Sequence, residues 1–223
     1  MENKREYTIT ESETKVKNIF NVEDEKMIEH LLKKIMGLSD NEDLPDGAKE
    51  SPHRIAKYWT EHMAEGYMED PKLHLGKVFD LDTDTNSHTE EGEFRRGIVV
   101  SKFKLFSTCI HHLATWGTFN ENSWAYVCYI PRDKVVGLSK IPRMARGYAK
   151  RLTLQEEVAE NIANAMVSVL NPVGVMVVLK NMTHTCVAIR GAKSENATTT
   201  TSVCRGIFET DSDARAEVLN LIG

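Results

Sequence analysis

Two short stretches hold most of the reactive side chains: Cys109-Ile110-His111-His112 and His184-Thr185-Cys186. A thiolate and an imidazole three residues apart can reach one metal ion, and a second cysteine much later supplies a ligand from another element. Cys109, His112 and Cys186 make three soft-to-borderline donors that suit Zn²⁺. A fourth position left to water belongs to a catalytic site, whereas a structural site usually closes with four protein ligands. His111 and His184 would then stand beside the metal as acid–base groups, since imidazole titrates near neutral pH. The same residues also have an ordinary reading. A C-x-x-H pair arises by chance as unconnected side chains, and the spacing alone leaves both readings open. Cys128 and Cys204 read as small buried or surface thiols, and His53, His62, His74 and His88 as solvated.

Gly137-Leu138-Ser139-Lys140-Ile141-Pro142-Arg143 leads into a helix. A Gly and a Ser there can cap the first turn, and Lys140 and Arg143 add cations that would suit an anion such as a polyphosphate. An exposed capping turn with ordinary surface charges is the simpler alternative. Gln155 and Glu156, followed by Glu157, could match the donor edge of a guanine-like base, although most such helical pairs are solvated. Arg190-Gly191 and the run Ala197–Ser202 (ATTTTS) follow the second cluster, and the threonines have the propensity of an edge strand.

These residues need elements to hold them. Ile28, Leu31, Leu32, Ile35 and Met36 recur at helical spacing before Gly37, and Ser51-Pro52 opens a second helix with Ile55, Trp59 and Met63 on one face. Residues 71–93 are acidic and Thr-rich and read as a loop. Strands are expected over 98–105, 123–130 and 173–179, with 187–189 continuing a hairpin, and a mostly helical stretch over 141–168. The tail from Asp211 reads as a short helix. This order gives an α+β fold with an antiparallel sheet. The domain expectation is a mobile arm over 1–20, a helical region and loop over 21–97, and the catalytic domain over 98–223.

The chain has 223 residues, a net charge of −5 and four cysteines. That charge removes the whole-chain case for nucleic acid. No apolar run reaches the roughly 18–20 residues of a membrane span, and the N-terminus lacks the apolar core of a secretory signal. Sparse cysteines point to reduced thiols and a cytoplasmic protein.

The motifs SPHRIAK, STCIHH, YIPRDKVVGLSKIPR, LQEE, HTCVAIRG and ATTTTS, in this order, resemble the GTP cyclohydrolase I family. The likeness runs from about residue 20 to the end and is dense from Phe103 to Phe208. It implies a tunnelling fold: a four-stranded antiparallel sheet with helices on one face and an N-terminal helical extension. The sheets join into a barrel across subunits of a homo-oligomer, commonly a decamer of two stacked pentamers. It implies hydrolysis of GTP to 7,8-dihydroneopterin triphosphate and formate. By the same resemblance the zinc ligands are Cys109, His112 and Cys186, and the catalytic residues are His111, His184 and Ser139, the last acting on the ribose. Gln155 and Glu156 would read guanine, and Arg54, Lys57, Lys140, Arg143 and Arg190 would contact the triphosphate.

Three positions depart from the family pattern. Ile110 stands where a Glu is usual, Glu157 where an Arg is common, and Thr118–Trp124 (TFNENSW) is longer than the usual connection. Ile110 and Glu157 motivate one alternative, a related enzyme with a shifted purine nucleotide preference. A second alternative is a non-catalytic nucleotide-binding homologue, whose cue would be a metal site closed by Cys128 or Cys204.

Overall fold

The computed structural model describes residues 19–81 and 97–223, in two compact units divided between Glu61 and His62. Residues 1–18 of the expected arm, and 82–93 of the expected loop, lie outside the described residues.

In the N-terminal unit, α1 (Val22–Met36) begins where the Asn21 side chain accepts from the Glu23 and Asp24 amides, while the Asp24 carboxylate returns a bond to the Asn21 amide. This reciprocal pattern satisfies amides that otherwise lack helical partners. Gly37, at φ 71°, ends the helix as expected. α2 (Ser51–Trp59) has Pro52 in its first turn. The helical spacing in α1 is real, but of its apolar row only Ile28 is buried, and Leu31 and Ile35 are exposed.

The larger unit contains β1 (Val78–Asp80), β2 (Val99–Phe103), β3 (Phe106–Cys109), β4 (Thr115–Gly117), β5 (Trp124–Ile130) and β6 (Lys134–Val136). Then follow α3 (Lys140–Ala149), β7 (Leu152–Thr153), α4 (Gln155–Leu170), β8 (Gly174–His184), α5 (Thr185–Ile189), β9 (Thr198–Gly206), α6 (Ile207–Thr210) and α7 (Ser212–Ile222). The fold is α+β. Its main sheet has seven strands in the order β2-β5-β8-β4-β3-β7, with β9 on the other edge of β8; β1 and β6 form a separate pair. Within it β2, β5, β8 and β9 are successive antiparallel neighbours.

Alternation along β5 and β8 separates two cores. Ala125, Val127, Tyr129, Val175, Val177 and Leu179 join Ile141, Met144, Val158, Ile162 and Met166 of α3 and α4. Tyr126, Cys128, Met176 and Val178 join Phe208, Val218 and Ile222 of α6 and α7. Helices therefore cover both faces, not the one face the resemblance implies. The cause is that every position of β5 from Ala125 to Tyr129 is apolar and has to leave water on whichever side it points; burying one such side chain contributes about 1.5–3 kcal/mol.

Other differences are local. The stretch 141–168 is two helices, because residues 150–154 leave α3, pair as β7 and re-enter at α4. Residues 187–189 belong to α5 rather than to a strand, β3 and β4 are additional strands, and residues 71–75 and 78–80 form a 3-10 helix and β1 within the expected loop. The threonine run is a strand, paired among the described residues with β8 alone, as its propensity suggests. No helix among the described residues is long and apolar enough to cross a membrane.

Candidate active site

The reactive stretches meet at the end of β3, β4 and β8. Cys109 closes β3; its amide donates to Ala114 O at 2.9 Å and its carbonyl accepts from the Leu113 amide at 3.0 Å. The intervening turn is tight enough to hold Leu113 at φ 52°, a left-handed conformation uncommon outside Gly and Asn. It presents Ile110, His111 and His112 to solvent. On the far side of β4, the Thr185 hydroxyl donates to Thr115 O at 2.8 Å, and Cys186 follows it. One strand thus separates the two cysteines' backbones, about 10 Å in a regular sheet.

Two features aim β4 and β8. Gly117 has φ 150°, and a Cβ there would lie 2.4 Å from Leu105 O, so only glycine lets β4 come so close. In β8 the pairing with β9 slips between Leu179 and Met182, which face Thr201 and Thr199: one extra residue, a β-bulge. Asn181 sits in it at φ 55°. Its amide donates to Thr200 Oγ1 at 3.0 Å, its side chain donates to Asn122 O at 3.2 Å, and its carbonyl accepts from Ser123 Oγ. The bulge reverses the side-chain parity. Leu179 and Met182 both join the core under α4, and His184 follows Met182 onto that face. Without the extra residue His184 would point to the α7 side. The long 118–124 connection supplies two of the groups that clamp the bulge.

His184 is half-buried. Trp116, its cross-strand partner, stacks on it at 5.6 Å between centroids and 10° between planes. Its Nε2 lies 2.7 Å from Gln155 Oε1. Burial pushes the imidazole below its ordinary pKa, and the Glu156 carboxylate acts in the opposite sense. Trp116 is 1% exposed, and its Nε1–H has no hydrogen-bond partner among the described residues.

The remaining predicted residues are placed as follows. Glu156 is exposed at the start of α4. Arg190 ends α5 and donates from Nη1 to His112 Nε2. Cys109, His112 and Cys186 are suitable zinc donors gathered at one end of the sheet. Among the described residues, however, no three His, Cys, Asp or Glu side chains converge as a metal centre requires, and the His112 lone pair is taken by Arg190. Ser139 precedes α3 but makes no cap bond; the turn is closed by the Lys140 amide to Gly137 O at 2.8 Å. Ala149, at the other end of α3, accepts from Ser107 of β3, and Ser139 and Lys140 stand a helix length, about 15 Å, from that residue. Arg143 lines a separate cavity of about 180 Å³ with Glu65, Glu69 and His74. Arg54 and Lys57 are exposed on α2 in the N-terminal unit. A cavity of about 570 Å³ lined by Glu69, Lys72, Arg151 and Asn164 contains none of the predicted residues.

Two of the alternatives' motives are resolved locally. The Glu157 carboxylate accepts from Thr153 Oγ1 at 2.8 Å and the Leu154 amide at 3.1 Å, which makes it a helix-capping group. Cys128 and Cys204 flank Met176 in one cross-strand row. That row is eight residues from His184 along β8 (176 to 184), about 25 Å, so neither can close a metal site there within one chain. Reasoning from sequence missed Trp116, Asn181, Thr199 and Thr201. The threonine run and the unusual 118–124 length were the available signals.

An α+β sheet that brings thiols and imidazoles to one end, with an amide-braced histidine among them, is an arrangement suited to acid–base chemistry. A sequence profile described as GTP cyclohydrolase I matches residues 25–223, and the chain belongs to that family. It is 40% identical over 196 residues to GTP cyclohydrolase 1 of Desulforamulus reducens, covering 87% of this chain and 95% of that one. Identity to the Geobacillus kaustophilus protein of the same name is 39%, with the same coverage. For that of Carboxydothermus hydrogenoformans it is 38%, over 90% of this chain and 95% of the relative. The apo archaeosine synthase QueF-Like chain overlaps 50% of this chain and 96% of its own at a TM-score of 0.39 and 19% identity, too loose a likeness to bear on the fold.

Proposed function

We propose that the protein is a zinc-dependent GTP cyclohydrolase I, which opens the guanine imidazole ring of GTP with water to give 7,8-dihydroneopterin triphosphate and formate. The observation that carries this reading is the placement of Cys109, Cys186 and the braced His184 on neighbouring elements at one end of the sheet. C8 of guanine is a poor electrophile until N7 is protonated, so an acid has to reach N7. His184 is suited to that role: its depressed pKa makes the protonated ring a stronger acid. His111, on the exposed turn, handles protons on the ribose side. Glu156 accepts from N1–H and the exocyclic amine, and adenine would leave its carboxylate unmatched. Cys109, His112 and Cys186 would hold Zn²⁺ once His112 leaves Arg190. Zinc bound there would supply a nucleophile from water at neutral pH. Arg190, Lys140 and Arg143 would then be available to the triphosphate.

Ser139 and Lys140 lie at the end of α3 away from Ala149, which meets β3; an active site completed between copies of the chain, in a homo-oligomer of the two-pentamer kind, is part of this reading. The four cysteines are free thiols, which suits the reducing cytoplasm. Purified zinc-loaded protein given GTP should release formate and yield a fluorescent pterin after oxidation. No product at full zinc occupancy would overturn the assignment. Ile110, 51% exposed beside His111, favours one second reading, an altered nucleotide preference. Comparing GTP with dGTP tests it, because a ribose without its 2′-hydroxyl cannot complete the rearrangement and stops at formyl release.

A further inference from the structure

Gln155 opens α4 and is 2% exposed, yet every polar atom of its side chain is engaged by the protein. Its Nε2 donates to Thr201 Oγ1 at 2.9 Å and to Thr199 O at 3.2 Å, with Leu179 O at 3.5 Å. Backbone carbonyls only accept, so Thr199 and Leu179 determine which end of the amide is nitrogen. The oxygen must then be the atom 2.7 Å from His184 Nε2. An amide oxygen also only accepts, so Nε2 of His184 has to carry hydrogen. A neutral imidazole has one N–H, which leaves the lone pair on Nδ1. The Trp116 ring, stacked on the imidazole, holds its plane.

We propose that Gln155 is a positioning residue, which fixes His184 as the Nε2–H tautomer with Nδ1 directed to the substrate, rather than a reader of the guanine base. The chain of support runs from β9 through Gln155 to His184, so the threonine run becomes part of the catalytic apparatus at one remove. This rests on His184 as the proton-handling group of the proposed reaction.

The test uses the zinc-loaded full chain and Gln155→Met, which fills similar volume without accepting or donating. Imidazole ¹⁵N spectra, with the His184 signal identified by its loss in His184→Ala, should show Nε2–H in the wild type and a tautomer mixture in Gln155→Met. A neutral wild-type ring with its hydrogen on Nδ1 and none on Nε2 would overturn the proposal. That readout needs no turnover, so it stands apart from failure of the GTP assignment. In kinetics, kcat should fall about 10- to 100-fold with KM for GTP within about twofold. The preference for GTP over ITP, which lacks the exocyclic amine, should be unchanged. A raised KM with a collapsed GTP/ITP preference would make Gln155 a base reader and overturn the inference. If Gln155→Met does not fold, Thr201→Val removes the hydroxyl that orients the amide. It should lower kcat in the same sense by less, and an unchanged tautomer and kcat there would likewise refute the role.

Discussion

His184 and His112 stand at the same end of the sheet, yet one is held from several sides and the other rides on a surface turn. His184 has a strand bulge behind it, an indole against its face and a buried amide at one nitrogen. His112 accepts from Arg190, itself exposed, and meets the neighbouring His111 ring edge-on at 6.1 Å. The contrast teaches which half can be aimed by one folded chain. The acid–base half is an extension of the core, so its geometry is set by the packing that stabilises the protein. Of the ligand half, Cys109 is buried and Cys186 half-buried, whereas His112 sits on a short exposed turn and can exchange partners at little cost, since exposed polar contacts contribute only modestly.

Several variants would break or sharpen this contrast. Cys186→Ser should have the largest effect: zinc content and turnover are lost, while circular dichroism and the thermal transition persist, because neither core cluster contains Cys186. Unfolding on metal loss would show that the ligand half is structural after all. His184→Ala should lower kcat about 10²- to 10⁴-fold while equilibrium GTP binding and zinc content are retained. Asn181→Val puts a β-branched residue at φ 55°, which costs about 1–3 kcal/mol. It should lower the melting temperature and kcat together, since the bulge both joins the sheet and directs His184. A stability loss with unchanged kcat would mean that Gln155 and Trp116 suffice.

Glu157→Ala should cost about 1 kcal/mol of stability through the lost cap contacts and leave the GTP preference intact; a changed preference would restore its carboxylate to the base pocket. The smallest effect lies far from the site. Burial pushes the Cys128 thiol up to about 12, against about 8.5 in an unfolded chain. Its contribution to stability is therefore full below about pH 8.5 and is lost as pH rises toward the folded value. Iodoacetamide at pH 8 should leave Cys128 unmodified in the folded protein, and urea midpoints should decline between pH 8 and 10.

Much of the fold was legible because its signals are local. Asn21 and Gly37 bound α1 through bonds that span a few residues, and β5 reads as a strand because both its faces are apolar. The expected strand at 187–189 failed for the same reason in reverse: three apolar residues carry no period, and the chain after His184 coils into α5 instead. The row of α1 was right in spacing and wrong in burial, because periodicity shows which residues share a face and not what covers that face.

What the sequence by itself determined about this protein is its inventory: the thiols, imidazoles, carboxylates and cations, their order, and the family to which that order belongs. Only the tertiary structure decided which way His184 points and that the polar atoms of Gln155 are engaged within the protein. Those outcomes depend on one extra residue between Leu179 and Met182 and on pairing between strands far apart in the chain. A one-residue slip changes the face of every side chain beyond it, and nothing in the composition of β8 announces where that slip occurs.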